Sequence, residues 1–170
     1  MKCIWKLFID GTDTSVAWLD HKPNTRFAIY NAGTATNPND DLVLDKETGL
    51  IWPRHANPLT DAKNWLDANT ACREFKLANR IGWRLPAVEE LSSLIDTRRS
   101  RPALPTGHPF LSVQVGAAAW AYWTSTSLED TPHAAWFVNL DAGAAGPGDK
   151  VSTPPVLGYV WPVRGGVNPA

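Results

Sequence analysis

Four histidines are the first residues to test for metal chemistry, because a neutral imidazole is the commonest metal ligand in proteins. No two of them have the four-residue spacing of a helical zinc motif. Zinc also requires several ligands that converge on one point, so we expect neither a metal site nor a bound cofactor. For His108, in the segment GHPF, we favour a loop histidine that hydrogen-bonds its own backbone. The four are His21, His55, His108 and His133.

Oxygen-rich segments are candidates for calcium, which prefers carboxylate and carbonyl ligands. Residues 37–41 (NPNDD) offer such oxygens, but they lack the distant bidentate Glu and the loop Gly of a calcium-binding loop. Asp141 precedes a stretch rich in Gly, Pro and Ala over residues 142–155, and Asp149 lies within it, so the two carboxylates could meet at a cation. Ordinary turn chemistry is the interpretation we favour for all of these residues.

Three side chains could act as nucleophiles, namely Ser125, Ser127 and Cys72. No G-x-S-x-G turn surrounds either serine, and Cys72 falls on the apolar stripe of a predicted helix, where a thiol is inert. The adjacent carboxylates Glu89 and Glu90 would point about 100° apart on a helix, so they could not flank one scissile bond. We therefore predict no catalytic residues, and we do not expect an enzyme.

A basic cluster is the first candidate for ligand binding. Arg98, Arg99 and Arg101 follow a predicted helix, and sulfated glycans bind such clusters through charge-assisted hydrogen bonds. Asp149 and Lys150, on the 142–155 stretch, are expected to lie near the ligand surface. The alternative is a solvated helix end, which attracts cations for electrostatic reasons alone.

An aromatic pair is the second candidate. Trp120 and Tyr122 share one face of a predicted strand and could stack on a sugar ring. The chain contains nine tryptophans, however, and most of these large rings must lie in the core.

The composition limits the classes of partner. The chain has 170 residues, with 16 Lys and Arg against 17 Asp and Glu, and this balance lacks the basic footprint of a nucleic-acid binder.

No run approaches the ~20 apolar residues of a membrane span, so we expect no membrane insertion. Lys6 and Asp10 interrupt the apolar start, which favours a first strand over a signal peptide. The length is that of one domain.

The elements that position these residues are predicted to be short. Residues 42–44 and 50–52 form a hairpin whose five-residue loop ends at Gly49, in the left-handed conformation. Other strands are predicted over 4–9, 15–19, 26–30, 119–126, 134–140 and 158–164, and 142–155 is predicted to be a long loop.

Two helices are predicted between the early and the late strands. The first spans about 60–76, with Thr60 as N-cap, and the second spans about 86–97, with Pro86 at its first position. Two helices followed by antiparallel strands indicate an α+β fold.

Six short strings occur in the order and spacing of one bacterial family. The six are DKETGLIW from Asp45, W-x-x-A-x-x-x-C from Trp65, GWRLP from Gly82 with E-E-L at 89–91, YWTST from Tyr122, AWFVN from Ala135 and YVWPVRGG from Tyr159. Each string is weak alone, but six in order are hard to obtain by chance. From about Arg26 to Gly166 the chain therefore resembles the family named for the C-terminal domain of the collagen-like adhesin Lcl.

The resemblance implies a C-type-lectin-like fold, in which two helices pack on twisted antiparallel sheets beside a long loop region. The adhesin member of the family implies binding of sulfated polysaccharide and host surfaces without catalysis, at a cell surface or after secretion. The tripeptides EPN and QPD and the string WND, which calcium-dependent lectins use, are not in this chain.

Several residues of these strings are interpreted as scaffold. In WRLP, we expect the Trp to lie in the core and the Arg to satisfy several carbonyls at the strand-to-helix corner. Where the family often has a second Cys in the last strand, this chain has Pro162. Cys72 is then either a buried free thiol, which we favour, or the partner of Cys3. The predicted scaffold residues are Trp52, Trp65, Cys72, Trp83, Arg84, Pro86, Trp136 and Arg164.

Our first hypothesis is a non-enzymatic recognition module that binds a glycan or a protein surface through its loop face. The alternative is a structural or assembly subunit of a bacterial or phage particle or appendage, whose partners are copies of itself. A hydrolase or an oxidase is the least favoured function. We expect a single domain over 1–170, with strands and turns over 1–36, the family core over 37–166 and a tail over 167–170.

Overall fold

The structure is a computed structural model that describes residues 18–22, 24–30, 41–116 and 121–165. Within these residues the chain is mixed helix and sheet, with antiparallel strands in two sheets, as predicted. The predicted strand 4–9, Cys3 and Trp120 lie outside the described residues. The elements in chain order are β1 (Leu19–Asp20), β2 (Phe27–Tyr30), β3 (Leu42–Asp45), β4 (Leu50–Pro53), α1 (Trp65–Glu74), α2 (Val88–Ser92), β5 (Tyr122–Ser127), β6 (Ala134–Asn139), β7 (Ala144–Asp149) and β8 (Arg164–Gly165).

The first sheet has the strand order β1-β2-β3-β4-β8, and all of its pairs are antiparallel. The predicted hairpin is confirmed as β3 and β4, in which Val43 lies opposite Trp52. Gly49 closes its loop with a φ of 72°, a conformation that side chains with a Cβ rarely adopt. Pro162, which has no amide to donate, precedes the short edge strand β8 and so removes no bond from the ladder.

The second sheet, in the order β5-β6-β7, corrects the predicted loop over 142–155. Six residues of that stretch form β7, and each pairs with a residue of β6. Gly146, Pro147 and Gly148 have low strand propensity, so composition alone favoured a loop. The backbone is nevertheless extended, because it pairs with β6 along its whole length. Gly148 lies directly against the ring of Phe137, where a Cβ would overlap that ring.

Both helices are shorter than predicted. α1 begins after Asn64, whose side chain accepts a hydrogen bond from the amide of Asp67. Thr60 is therefore not the N-cap, and its φ of 61° lies in the left-handed region. α2 begins at Val88, two residues beyond Pro86, and its C-cap is Ser93. The remainder of the predicted second helix forms turns that lead into the arginine-rich segment.

Three apolar clusters pack against the faces of the two sheets. The first lies between the sheets and α2, and it includes Trp52 and Trp161, whose ring centroids are 5.2 Å apart. The second covers the other face of the first sheet and contains Trp83. The third packs α1 on the outer face of the second sheet through Ala68 and Cys72. Alternate residues of β6 therefore face different clusters: Val138 contributes to the first cluster, and Ala135 and Phe137 contribute to the third.

Candidate functional site

Of the predicted aromatic pair, the structure describes Tyr122 alone, and its burial corrects the prediction that it contacts a ligand. Its side chain is 0 % exposed in the first cluster, and its hydroxyl oxygen accepts a hydrogen bond from the amide of Gln114 at 2.7 Å. Burial raises the pKa of this phenol well above its ordinary value. Trp123, on the opposite face of β5, is also fully buried. These rings form the core, so they offer no stacking surface to a sugar.

The structure separates Lys150 from the arginine cluster. The amide of Lys150 donates to His133 at one end of the β6–β7 pair, and the amide of Arg101 donates to Asp141 in the turn at the other end. Five steps of about 3.3 Å along a strand separate the two ends by roughly 17 Å. The Lys150 ammonium instead lies 4.6 Å from the centre of the Trp65 ring and donates to the hydroxyl of Ser127.

The same geometry separates the two carboxylates that were considered for calcium. Asp141 lies in the turn after β6, where it pairs with Arg101, and Asp149 lies at the far end of β7, where it accepts from the amide of Val151. Asp41 accepts from Arg54 at 2.8 Å, and residues 37–40 lie outside the described part of the chain. Among the residues that the structure describes, no three His, Cys, Asp or Glu side chains are grouped so as to hold a metal ion.

The candidate nucleophiles all have local structural roles. Both the amide and the hydroxyl of Ser125 donate to the carbonyl of Pro86, and Ser127 accepts from Lys150. Cys72 is a free, buried thiol, and burial raises its pKa to about 12. The imidazole of His108 accepts a hydrogen bond from the amide of Phe110, the local backbone contact that we expected for a loop histidine. Burial lowers the pKa of His108, and the nearby His21 lowers it further.

The WRLP corner joins both sheets. Trp83 is buried and donates from its indole to the carbonyl of Arg80. Arg84 donates to the carbonyls of Leu85 and Gly165 and binds both carboxylate oxygens of Glu90. Trp52, Cys72 and Pro86 are buried, whereas Trp65, Trp136 and Arg164 are half-buried.

The arginine segment borders a cleft of about 510 Å³, which we call the arginine cleft. Arg98 is 87 % exposed and binds both oxygens of Asp96, whereas Arg99 also projects into solvent. Arg101 is outside the lining and pairs with Asp141. The cleft is lined by Asn24, Asp96, Arg98, Arg99, Pro105 and Thr106.

Sequence reasoning missed the opposite wall of this cleft. The side chain of Asn24 donates to the carbonyl of Thr106 across 82 positions of the chain, so the two residues meet only after folding. No local pattern identifies either of them, although turns are common places for exposed polar groups.

A second cleft, of about 300 Å³, has no counterpart in the sequence predictions. We call it the His55 cleft. It forms where the loop after β4 meets the end of α1, and it contains the side chains of both elements. Its lining is His55, Asn57, Pro58, Thr60, Phe75, Lys76 and Leu77.

The described residues form an antiparallel α+β fold with a tryptophan-rich core, and the arginine cleft and the His55 cleft lie at its surface. The model of the Lcl C-terminal domain family matches residues 41–164, which is most of the chain and spans β3 to the start of β8. The chain belongs to this family. No curated protein sequence matches it. None of the helices in the described part of the chain has the length and apolar character to cross a bilayer.

Proposed function

We propose that this chain is a non-enzymatic recognition module of C-type-lectin-like architecture, which binds an anionic glycan at the arginine cleft. The observation that carries the proposal is that two exposed arginines line one cleft: Arg99, and Arg98, whose guanidinium also binds Asp96. Guanidinium groups bind sulfate and carboxylate through paired, charge-assisted hydrogen bonds. Membership of the family supports a binding role.

The polar groups of the cleft favour a glycan over a bare anion. Thr106 adds a hydroxyl beside the two guanidinium groups, and Pro105 adds an apolar surface. The hydrogen bonds between Asn24 and the Thr106 carbonyl, and between Asp96 and Arg98, fix two of the walls. A wall that is already ordered loses less conformational entropy when a ligand binds.

The surroundings of the nucleophile candidates support binding rather than catalysis. The hydroxyl of Ser125 is used against Pro86, and the raised pKa of Cys72 keeps this thiol protonated at neutral pH. We therefore assign no catalytic residue.

Binding of a sulfated oligosaccharide, compared with its desulfated form by titration calorimetry, tests this function. We expect the sulfated form to bind more tightly, with an affinity that falls as salt is added, because exposed charges are screened. Arg99→Gln should weaken binding about tenfold, the equivalent of about 1.4 kcal/mol. The matched control is Arg73→Gln, which removes an exposed arginine at the end of α1.

Equal binding of the two oligosaccharides, or an equal effect of the two arginine substitutions, would contradict this proposal. The absence of glycan binding together with concentration-dependent oligomers in sedimentation would favour the assembly subunit instead.

A further inference from the structure

We infer that the His55 cleft is a separate binding site for an acidic monosaccharide unit, a hexuronate, whose ring hydroxyls and carboxylate match the polar groups of the cleft. Its volume of about 300 Å³ lies at the lower end of the range for small-molecule sites, which suits one or two sugar rings. The inference does not depend on the arginine cleft.

The amide of Asn57 is fixed with one group unsatisfied. Its Nδ2 donates to the carbonyl of Thr60 at 2.9 Å, which orients the side chain and leaves Oδ1 as the acceptor. This oxygen is buried and has no hydrogen-bond partner among the described residues, and Asn57 as a whole is only 9 % exposed. An unsatisfied buried acceptor destabilises a fold, so a ligand hydroxyl that donates to it restores a lost interaction.

His55 lines the same cleft and supplies a donor. Its Nδ1 accepts a hydrogen bond from the amide of Asn57, so the ring proton lies on Nε2. No hydrogen-bond partner of Nε2 is found in the described part of the chain. A sugar hydroxyl both donates and accepts, and it can therefore bind Asn57 and His55 together.

Lys76 and Phe75 determine which sugar fits. Lys76 is exposed and is the one cationic side chain among the lining residues, so the cleft matches a single negative charge such as a carboxylate. An ammonium binds as a point charge, without the paired geometry that arginine offers to sulfate. Phe75 and Pro58 provide the apolar surface on which the C–H face of a pyranose ring can pack.

Amide chemical shifts of the full chain, measured by NMR during titration with methyl β-glucuronide, test the inference. We expect saturable shifts at the side-chain amide of Asn57 and at the backbone amides of Thr60, Lys76 and Leu77. Methyl β-glucoside, which lacks the carboxylate, should bind about fivefold more weakly, and Lys76→Gln should remove that preference.

Two control variants make the result specific. Lys46→Gln removes a lysine that pairs with Asp20 and should leave the titration unchanged. Arg99→Gln, which impairs the arginine cleft, should also leave it unchanged, so failure of the proposed function and failure of this inference are distinguishable. Shifts confined to the arginine cleft, no saturable shift, or an acid preference that survives Lys76→Gln would each overturn the inference.

Discussion

Arg26 binds both carboxylate oxygens of Asp45, with its Nε 2.8 Å from Oδ1 and its Nη2 2.6 Å from Oδ2. The same carboxylate accepts from the amide of Glu47 and from the hydroxyl of Thr48. Asp45 is fully buried, and one residue therefore organises the β3–β4 turn and its contact with β2. The hydrogen bond to Asp45 is the main cause that raises the pKa of Arg26, against the opposing effect of burial.

Asp45→Asn should destabilise the fold by about 3 kcal/mol, because the mostly buried Arg26 guanidinium loses its buried carboxylate partner and keeps the exposed one, Glu47. The measurement is urea unfolding at neutral pH. Asp20→Asn removes a carboxylate that pairs with Lys46 at the surface, and exposed pairs contribute at most about 1 kcal/mol. Similar losses for the two variants would show that Asp45 does not organise this turn.

Glu90 gives the fold a contribution that depends on pH. Burial alone would raise its pKa, but the hydrogen bonds from Arg84 and from the Ala87 amide outweigh burial, and the pKa lies below the ordinary value of 4.5. A carboxyl group with a lowered pKa in the folded state stabilises that state above its unfolded pKa, and this stability is lost as the pH falls through the folded pKa.

Glu90→Gln should therefore cost about 1 kcal/mol at pH 7, a value reduced by solvent screening of the half-exposed Arg84. The difference from the parent protein should shrink as the pH falls below about 4.5. Urea midpoints between pH 3 and pH 7 check this expectation. Glu89→Gln changes the exposed neighbour on the same helix and should give no such trend. A loss for Glu90→Gln that is constant with pH would show that the charge of Glu90 contributes nothing.

The sequence predicts those elements whose structure depends on neighbouring residues alone. The β3–β4 hairpin follows from two short apolar runs and from Gly49, whose left-handed φ the turn requires. β7 is not such an element, because residues Ala144–Asp149 carry loop composition and become a strand only through pairing with β6. The first helix was predicted to begin too early. Both Thr60 and Asn64 are suitable N-cap residues, and in the structure Asn64 is the N-cap, whereas Thr60 has a left-handed φ of 61°.

The sequence predicts one wall of the arginine cleft and not the other. The charges of Arg98 and Arg99 are visible in the sequence, but the contact of Asn24 with Thr106 depends on the tertiary fold. The alternation of side chains along a strand correctly places Tyr122 and Trp123 on opposite faces of β5. It does not reveal that each face of β5 packs against its own apolar cluster, which is why Tyr122 was mistaken for a ligand contact.

Gly148→Ala should be strongly destabilising, because the new Cβ would overlap the ring of Phe137. The ring cannot move away freely, since it stacks on Trp123 with centroids 3.8 Å apart and also lies close to Gly158. Overpacking of this kind costs about 3 kcal/mol, or roughly 6–12 °C in Tm for a domain of this size. Thermal unfolding by circular dichroism gives the shift.

The matched control lies two residues away in the same strand. A Cβ at Gly146 would meet nothing within 4 Å, so Gly146→Ala should stay within about 0.5 kcal/mol of the parent protein. Equal losses at the two positions would attribute the effect to strand glycines in general rather than to the contact with Phe137.

Cys72 should be unreactive as long as the protein is folded. It is 0 % exposed in the third apolar cluster, and burial raises its pKa to about 12. The thiolate is the reactive species, so at pH 8 only about one molecule in 10⁴ would carry it. In a Cys3→Ser background, a chromogenic disulfide reagent should label Cys72 only after urea is added, and intact mass should show one adduct. Rapid labelling of the folded protein would contradict the burial of this thiol. If no adduct forms even in urea without reductant, the thiol of this variant is held in a disulfide between two chains, because no second cysteine remains in the chain.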